Sequence, residues 1–208
     1  MSSAIWWKAA IWIAIFGCAA AIPNGMIISL AIATLALIFI KSTRAPTFAF
    51  VYRNWWWSIG IGLVVGVGSA FTIDPVVEEV AAQLTGEQVD LSNLAAVHGN
   101  FAAYLQLLAI ALIFGGIIEE VINRGFLIGW GSSVLGDRSA LPLVLLTAIA
   151  FGLAHAWQGP AGMISTGVGG LVLGLVYYFC DRKLLPAIIT HASGNFVGVT
   201  QIYLYGVS

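Results

Sequence analysis

Charge is what this sequence has least of. Only 8% of its 208 residues are Asp, Glu, Lys or Arg, 60% are hydrophobic, and the mean hydropathy is +0.98. A water-soluble domain needs far more polar surface than that, so the composition excludes one. The net charge of −1 offers no basic field for nucleic acid, and no run of like charges marks an interaction tail. Cysteine is scarce as well. Cys18 and Cys180 sit in separate apolar runs without CxxC spacing, so neither a disulfide framework nor a thiolate metal site is suggested, and both read as packing residues. Low-complexity tracts and long internal repeats are missing. The "GVGGLVLG" stretch lacks the third glycine of a dinucleotide fingerprint, and no strand precedes it.

Long apolar runs fill the chain instead. They place candidate crossings at 5–22, 26–40, 55–71, 101–135, 140–157, 161–180 and 184–205. The expected fold is all-α, a polytopic integral membrane helix bundle with about seven transmembrane helices, forming a single membrane domain over 1–208. Turn signals separate the runs: Pro23-Asn24-Gly25, "KSTRAPTF", "GDRSALP", "QGP" and Asp181-Arg182-Lys183. The second run is short for a full crossing. The fourth is long enough for one tilted helix, or for a helix followed by a re-entrant turn. The first run also admits a signal-peptide reading, because "IFGC" before Ala19 resembles a lipoprotein cleavage box, although Phe16 is unfavourable there. Small-xxx-small pairs at Gly62/Gly66, Gly125/Gly129 and Gly170/Gly174 suit close helix contacts in lipid.

The few charges set an orientation. Basic residues are retained on the cytoplasmic side, and with the amino terminus inside, Lys8, the Lys41/Arg44/Arg53 loop, Arg138 and the Arg182/Lys183 turn all fall inside. The segment 72–100 carries Asp74, Glu78, Glu79, Glu87 and Asp90 without a basic residue, and falls outside. Trp6, Trp7, Trp55, Trp56, Trp57 and Tyr177 then mark one interface, and Trp157, Tyr203 and Tyr205 the other. Glu78, Glu79 and His98 read as solvated surface.

Six polar residues remain at membrane depth: Glu119, Glu120, Arg124, His155, His191 and Asn195. A charge at the bilayer centre costs on the order of 3 kcal/mol, so such residues face one another and mark function by default. Glu120 and Arg124 are four apart with the acid first, the favourable order for an ion pair on one helix face. Glu119 lies about 100° around the helix and is left free to titrate. His191 and Asn195 share a face, as do Phe151 and His155. Counting ~1.5 Å per residue from each presumed cytoplasmic helix end puts Glu119 at ~24 Å, His155 at ~21 Å, Asn195 at ~20 Å and His191 at ~13 Å. These depths permit one shared layer. A buried Glu-Arg pair also serves as plain helix glue, and a lone helical histidine as a packing residue; three helices contributing polar groups at compatible depths weigh against that for the set.

"EEVINR", "FGLAH" and "HASGN" fit EExxxR, FxxxH and HxxxN in order along the chain, and the "RGFLIG" continuation after Arg124 is similar too. On these motifs residues 101–200 resemble the CAAX-protease and bacteriocin-processing family of intramembrane endopeptidases. The resemblance implies a catalytic core over 101–205 whose catalytic set falls on Glu119, Glu120, Arg124, His155, His191 and Asn195, with no departure at these positions. The helices over 5–71 match nothing in particular. The implied activity is hydrolysis of a peptide bond in a protein or peptide substrate at the membrane, which with the lipid bilayer is the expected partner.

The residues suit that chemistry. A carboxyl group in a low-dielectric pocket is harder to ionise, which brings it toward the range of a general base that then serves as acid. Glu119, helped by His155, is expected to deprotonate the water, Arg124 to keep Glu120 ionised, and His191 and Asn195 to donate to the tetrahedral intermediate. No cofactor is required. Two histidines and a carboxylate also make a zinc set, which leaves zinc open, although HExxH spacing is missing and Arg124 disfavours a cation. Two other classes fit the same cluster: a transporter or proton relay, and a non-catalytic scaffold or bacteriocin-immunity protein.

Overall fold

A computed structural model describes residues 3–21 and 25–207. The Pro23-Asn24 turn and the side chains of Trp6 and Cys18 lie outside what it describes. Among the described residues there is no strand. Eight helical segments follow in order: α1 (Ser3–Ala21), α2 (Gly25–Phe39), α3 (Lys41–Thr47), α4 (Trp55–Thr85), α5 (Phe101–Leu135), α6 (Ala140–Ala154), α7 (Gly159–Phe179) and α8 (Leu184–Tyr205).

Four described helical stretches are long and apolar enough to cross a membrane: Trp55–Thr85, Phe101–Leu135, Asp137–Ala154 and Ala156–Phe179. A fifth exists if Ile28–Phe39 and Lys41–Thr47, bent by 113°, are counted as one broken span. The expected seven crossings are therefore not all recovered. The reasons are local. α2 stops short, as its length foretold, and the chain turns sharply into α3, whose Arg44 guanidinium donates to the carbonyls of Leu37 and Ile38 at 2.7 and 2.6 Å and so satisfies the orphan end of α2. α8 is a full-length helix, but Thr190, His191, Ser193 and Asn195 dilute its hydropathy.

Two boundaries differ from the sequence reading. α4 does not end near residue 71 but runs 31 residues, from the Asn54 cap on the Trp57 amide to Gly86, whose φ of 76° closes it. At ~1.5 Å per residue Asp74 lies ~29 Å along α4 from Trp55, about the thickness of a hydrocarbon core, so the acidic end emerges at the far face. α6 ends at Ala154, leaving His155 just past the helix rather than on it.

α5 resolves the open alternative for the fourth run: it is one continuous element. Ala111–Glu119 and Val121–Trp130 within it are wound as π-helix. Side chains satisfy carbonyls along this widened stretch, two from other helices and one from α5 itself: Trp12 Nε1 donates to Leu127 O at 2.7 Å, Asn195 Nδ2 to Ala111 O at 2.9 Å, and Asn123 Nδ2 to Glu119 O at 2.9 Å. Within lipid an unsatisfied carbonyl costs several kcal/mol, which explains why polar atoms gather here.

Packing centres on α5. α1 and α2 bury Ile15, Ala33 and Ala36 against its Ile122, Phe126, Leu127 and Trp130. α6, α7 and α8 meet it around Ile128, Leu143, Val144, Tyr177 and Ile188. α4 lies along α8, with Gly66 so close to Ser193 and the Thr190 carbonyl that no side chain fits there. The two ends of the bundle differ in sign. The amides of Leu184 and Leu185 donate to Ala49 and Phe50 O, tying the start of α8 to the basic 41–53 segment, and Arg182 pairs with Asp137 at 2.9 Å. At the other end, the acidic 86–100 loop is fastened by Asp90 N to Gln158 O and Gly99 N to Tyr203 O, both 3.0 Å.

Candidate functional site

Glu120 and Arg124 lie at the centre of the bundle, both fully buried. Arg124 Nη1 donates to Glu120 Oε1 at 2.7 Å, and Nη2 donates to the Gly170 carbonyl on α7 at 2.7 Å. The guanidinium also lies over the Phe151 ring, 5.1 Å from its centroid. A carboxylate held by arginine is an acceptor only, so His191 Nδ1, 2.8 Å from the same Oε1, donates its proton to it. One carboxylate oxygen thus joins α5 to α8. Glu120 Oε2 and Arg124 Nε have no hydrogen-bond partner among the described residues.

His155 is fixed from a third side. Its Nδ1 is 2.8 Å from the Phe151 carbonyl, which can only accept, so Nδ1 carries a proton, and in the neutral ring the lone pair is then on Nε2. The Phe151 ring stands 4.7 Å from His155 and 5.9 Å from His191, centroid to centroid, and forms the apolar partition between them. Asn195 uses one amide hydrogen on Ala111 O and retains the second.

Glu119 has different surroundings from its neighbour. Its carboxylate is partly accessible and makes no hydrogen bond to the described residues, yet lies within electrostatic reach of His191, His155, Glu120 and Arg124. All six residues expected from the sequence therefore come from α5, the α6 end and α8, around Phe151. Glu120, Arg124 and His191 are bonded to one another; Glu119, His155 and Asn195 are joined to that trio by no direct hydrogen bond.

A cavity of about 310 Å³ meets the cluster at His191, Asn195 and Phe151 and extends between α4, α7 and α8 toward Val89, Leu91 and Gln158. Glu119, Glu120 and His155 are not in its wall. Asp74 and Glu78 are, one turn apart on α4. This corrects the reading of Glu78 as mere surface: it is exposed, but toward the cavity. The signal was an i,i+4 acidic pair, hidden by placing both residues in a loop. Sequence reasoning also missed Gly170, whose contribution is a backbone carbonyl, and Gly115, treated below.

Among the described residues no three His, Cys, Asp or Glu side chains stand close enough together to hold an ion. Both histidines engage Nδ1 in hydrogen bonds, and Arg124 pairs with Glu120.

Residues 101–197 match the family model described as Rce1-like, type II CAAX prenyl endopeptidase. Over that segment the chain is similar to the CAAX-protease family. No curated protein and no solved structure matches it. The matched segment runs from the start of α5 to residue 197 in α8 and contains all six clustered residues, while α1 to α4 lie before it.

Proposed function

We propose that the protein is an intramembrane endopeptidase that hydrolyses a peptide bond in a membrane-associated protein or peptide. The observation that carries this reading is the unequal treatment of two adjacent carboxylates. Glu120 is spent on Arg124 and His191, whereas Glu119 is accessible and uncommitted beside a histidine with a free lone pair.

In the proposed mechanism a water lies between Glu119 and His155 Nε2. Glu119 takes its proton as the oxygen attacks the carbonyl carbon, then returns it to the departing amine. The developing oxyanion is met by the second amide hydrogen of Asn195 and by His191. With its Nδ1 proton given to Glu120, His191 can donate through Nε2 only as the imidazolium. Arg124 and Glu120 are positioning residues, since they hold His191 rather than touch substrate.

The cavity supplies the approach. Its charged wall residues besides His191 are acidic and no lysine or arginine lines it, which favours a peptide segment bearing a cationic group over one presenting a free carboxylate. A quenched-fluorescence peptide pool digested by purified protein and by Glu119→Gln tests the activity. The parent is expected to cleave and the variant, equally folded, to be at least about 1,000-fold slower, since it loses the base. Parental rates in the variant would refute the role. Because no step uses a metal ion, activity is expected to survive dialysis against a chelator within about twofold; loss restored by zinc would overturn the metal-free scheme.

A further inference from the structure

Gly115 lies one turn before Glu119 on the π-helical stretch of α5, and its α-carbon faces the two groups assigned above to the oxyanion. A β-carbon built there would stand 2.6 Å from Asn195 Nδ2 and 3.6 Å from His191 Nε2, with the Asn195 amide carbon next at 3.8 Å. The bare α-carbon therefore borders a space on which two nitrogens from α8 converge, Asn195 Nδ2 and His191 Nε2. A methyl group would press on the Asn195 amide at well under van der Waals separation, strain its bond to Ala111 O, and cover the face of His191 Nε2. The next residue differs. A β-carbon on Gly116 would meet only Ala192, its β-carbon at 3.1 Å, so that glycine serves close packing.

We infer that Gly115 is a positioning residue for catalysis: its missing side chain keeps the Asn195 and His191 hydrogens uncovered and correctly placed for the substrate carbonyl oxygen. This rests on the proteolytic reading above. Ground-state binding draws on the whole cavity, whereas the paired donors act on charge that appears only as the bond is attacked. Loss of Gly115 therefore falls on kcat rather than KM.

The experiment uses the full-length protein in detergent micelles and the fastest-cleaved peptide of the pool. Gly115→Ala is expected to lower kcat by about 100-fold, the scale of one lost oxyanion donor, with KM within about threefold. A phosphinate analogue of that peptide, which mimics the tetrahedral state, should bind more weakly by a similar factor. Gly174→Ala is the structural comparator, because its β-carbon would strike Val144 Cγ1 at 2.7 Å and its three nearest neighbours there all belong to Val144. It should lower thermal stability and leave kcat per folded molecule intact. If Gly115→Ala does not fold, Gly115→Ala/Asn195→Ala removes the collision, and its kcat should lie within about threefold of Asn195→Ala alone because the two effects share one cause. Unchanged kcat and phosphinate affinity in Gly115→Ala, or a large further loss in the double variant, overturns the inference. A parent no faster than Glu119→Gln on every pool peptide overturns the proteolytic reading, and this inference with it.

Discussion

Glu119 and Glu120 are neighbours in sequence and opposites in environment, and substitutions should separate them. Arg124→Ala would strand the buried Glu120 carboxylate without a countercharge, a loss of ~3–5 kcal/mol that thermal denaturation in detergent will detect. Glu119→Gln should melt with the parent, because its carboxylate bonds nothing among the described residues. Equal destabilisation by both would show that Glu119 is structural as well. Arg124→Lys is no remedy, since one ammonium cannot reproduce the planar fork that reaches both Glu120 and the Gly170 carbonyl. The Glu120–Arg124 pair was legible from i,i+4 spacing alone. The bond from His191 to Glu120 was not, because spacing on one helix carries no information about its distance from another. Cys180 behaves as the packing residue its surroundings foretold: it is 4% exposed, and burial, with the negative charge of Asp181, pushes its thiol up. Little thiolate is then present at neutral pH. Peptide mapping after maleimide treatment should find Cys180 unmodified in native micelles and labelled after denaturation; rapid native labelling would contradict that burial.

At the scale of elements, the π-helical winding of α5 explains why helices outside the matched segment matter. Trp12 on α1 donates to Leu127 O, so Trp12→Phe leaves that carbonyl bare at a cost of ~1–3 kcal/mol. A melting temperature lowered by several degrees with kcat retained is expected, and no shift would show that another donor takes over. Hydrophobic runs announced α5, α7 and α8 well. They could not announce π winding, because residue type scarcely separates an i+5 ladder from an i+4 one. α4 was read too short for a related reason. Its apolar run breaks at Asp74, but the backbone continues through Glu, Ala and Gln, all competent in helices, until Gly86 can adopt positive φ. His155 left its helix because α6 closes into a short 3₁₀ turn before Gly159, a detail of backbone closure that apolar periodicity does not encode.

For the whole molecule, the two poles make the direction of substrate approach testable. Arg44, Arg53 and Arg182 gather at one end, and Glu78, Glu87 and Asp90 at the end where the cavity meets the 86–100 loop. Retention of basic residues in the cytoplasm predicts that the acidic pole faces outward. In a cysteine-free background, a membrane-impermeant maleimide on intact cells should label Ser92→Cys and not Ser42→Cys; the reverse pattern would invert the orientation. Sites cleaved in the peptide pool should be flanked by Lys or Arg more often than by Asp or Glu, and Asp74→Asn/Glu78→Gln should erase that bias while neutral peptides are still cut. A bias that survives the double substitution would assign selectivity elsewhere. The same bundle has a consequence for biogenesis. α8 bears the histidine and amide of the cluster and is too polar to be held by hydrocarbon alone, so during synthesis it must find the glycine face of α4 and the open flank of α5 before it can settle. This helix is thus recruited by its predecessors, and a copy whose α4 is roughened at Gly66 should be discarded by quality control rather than accumulate.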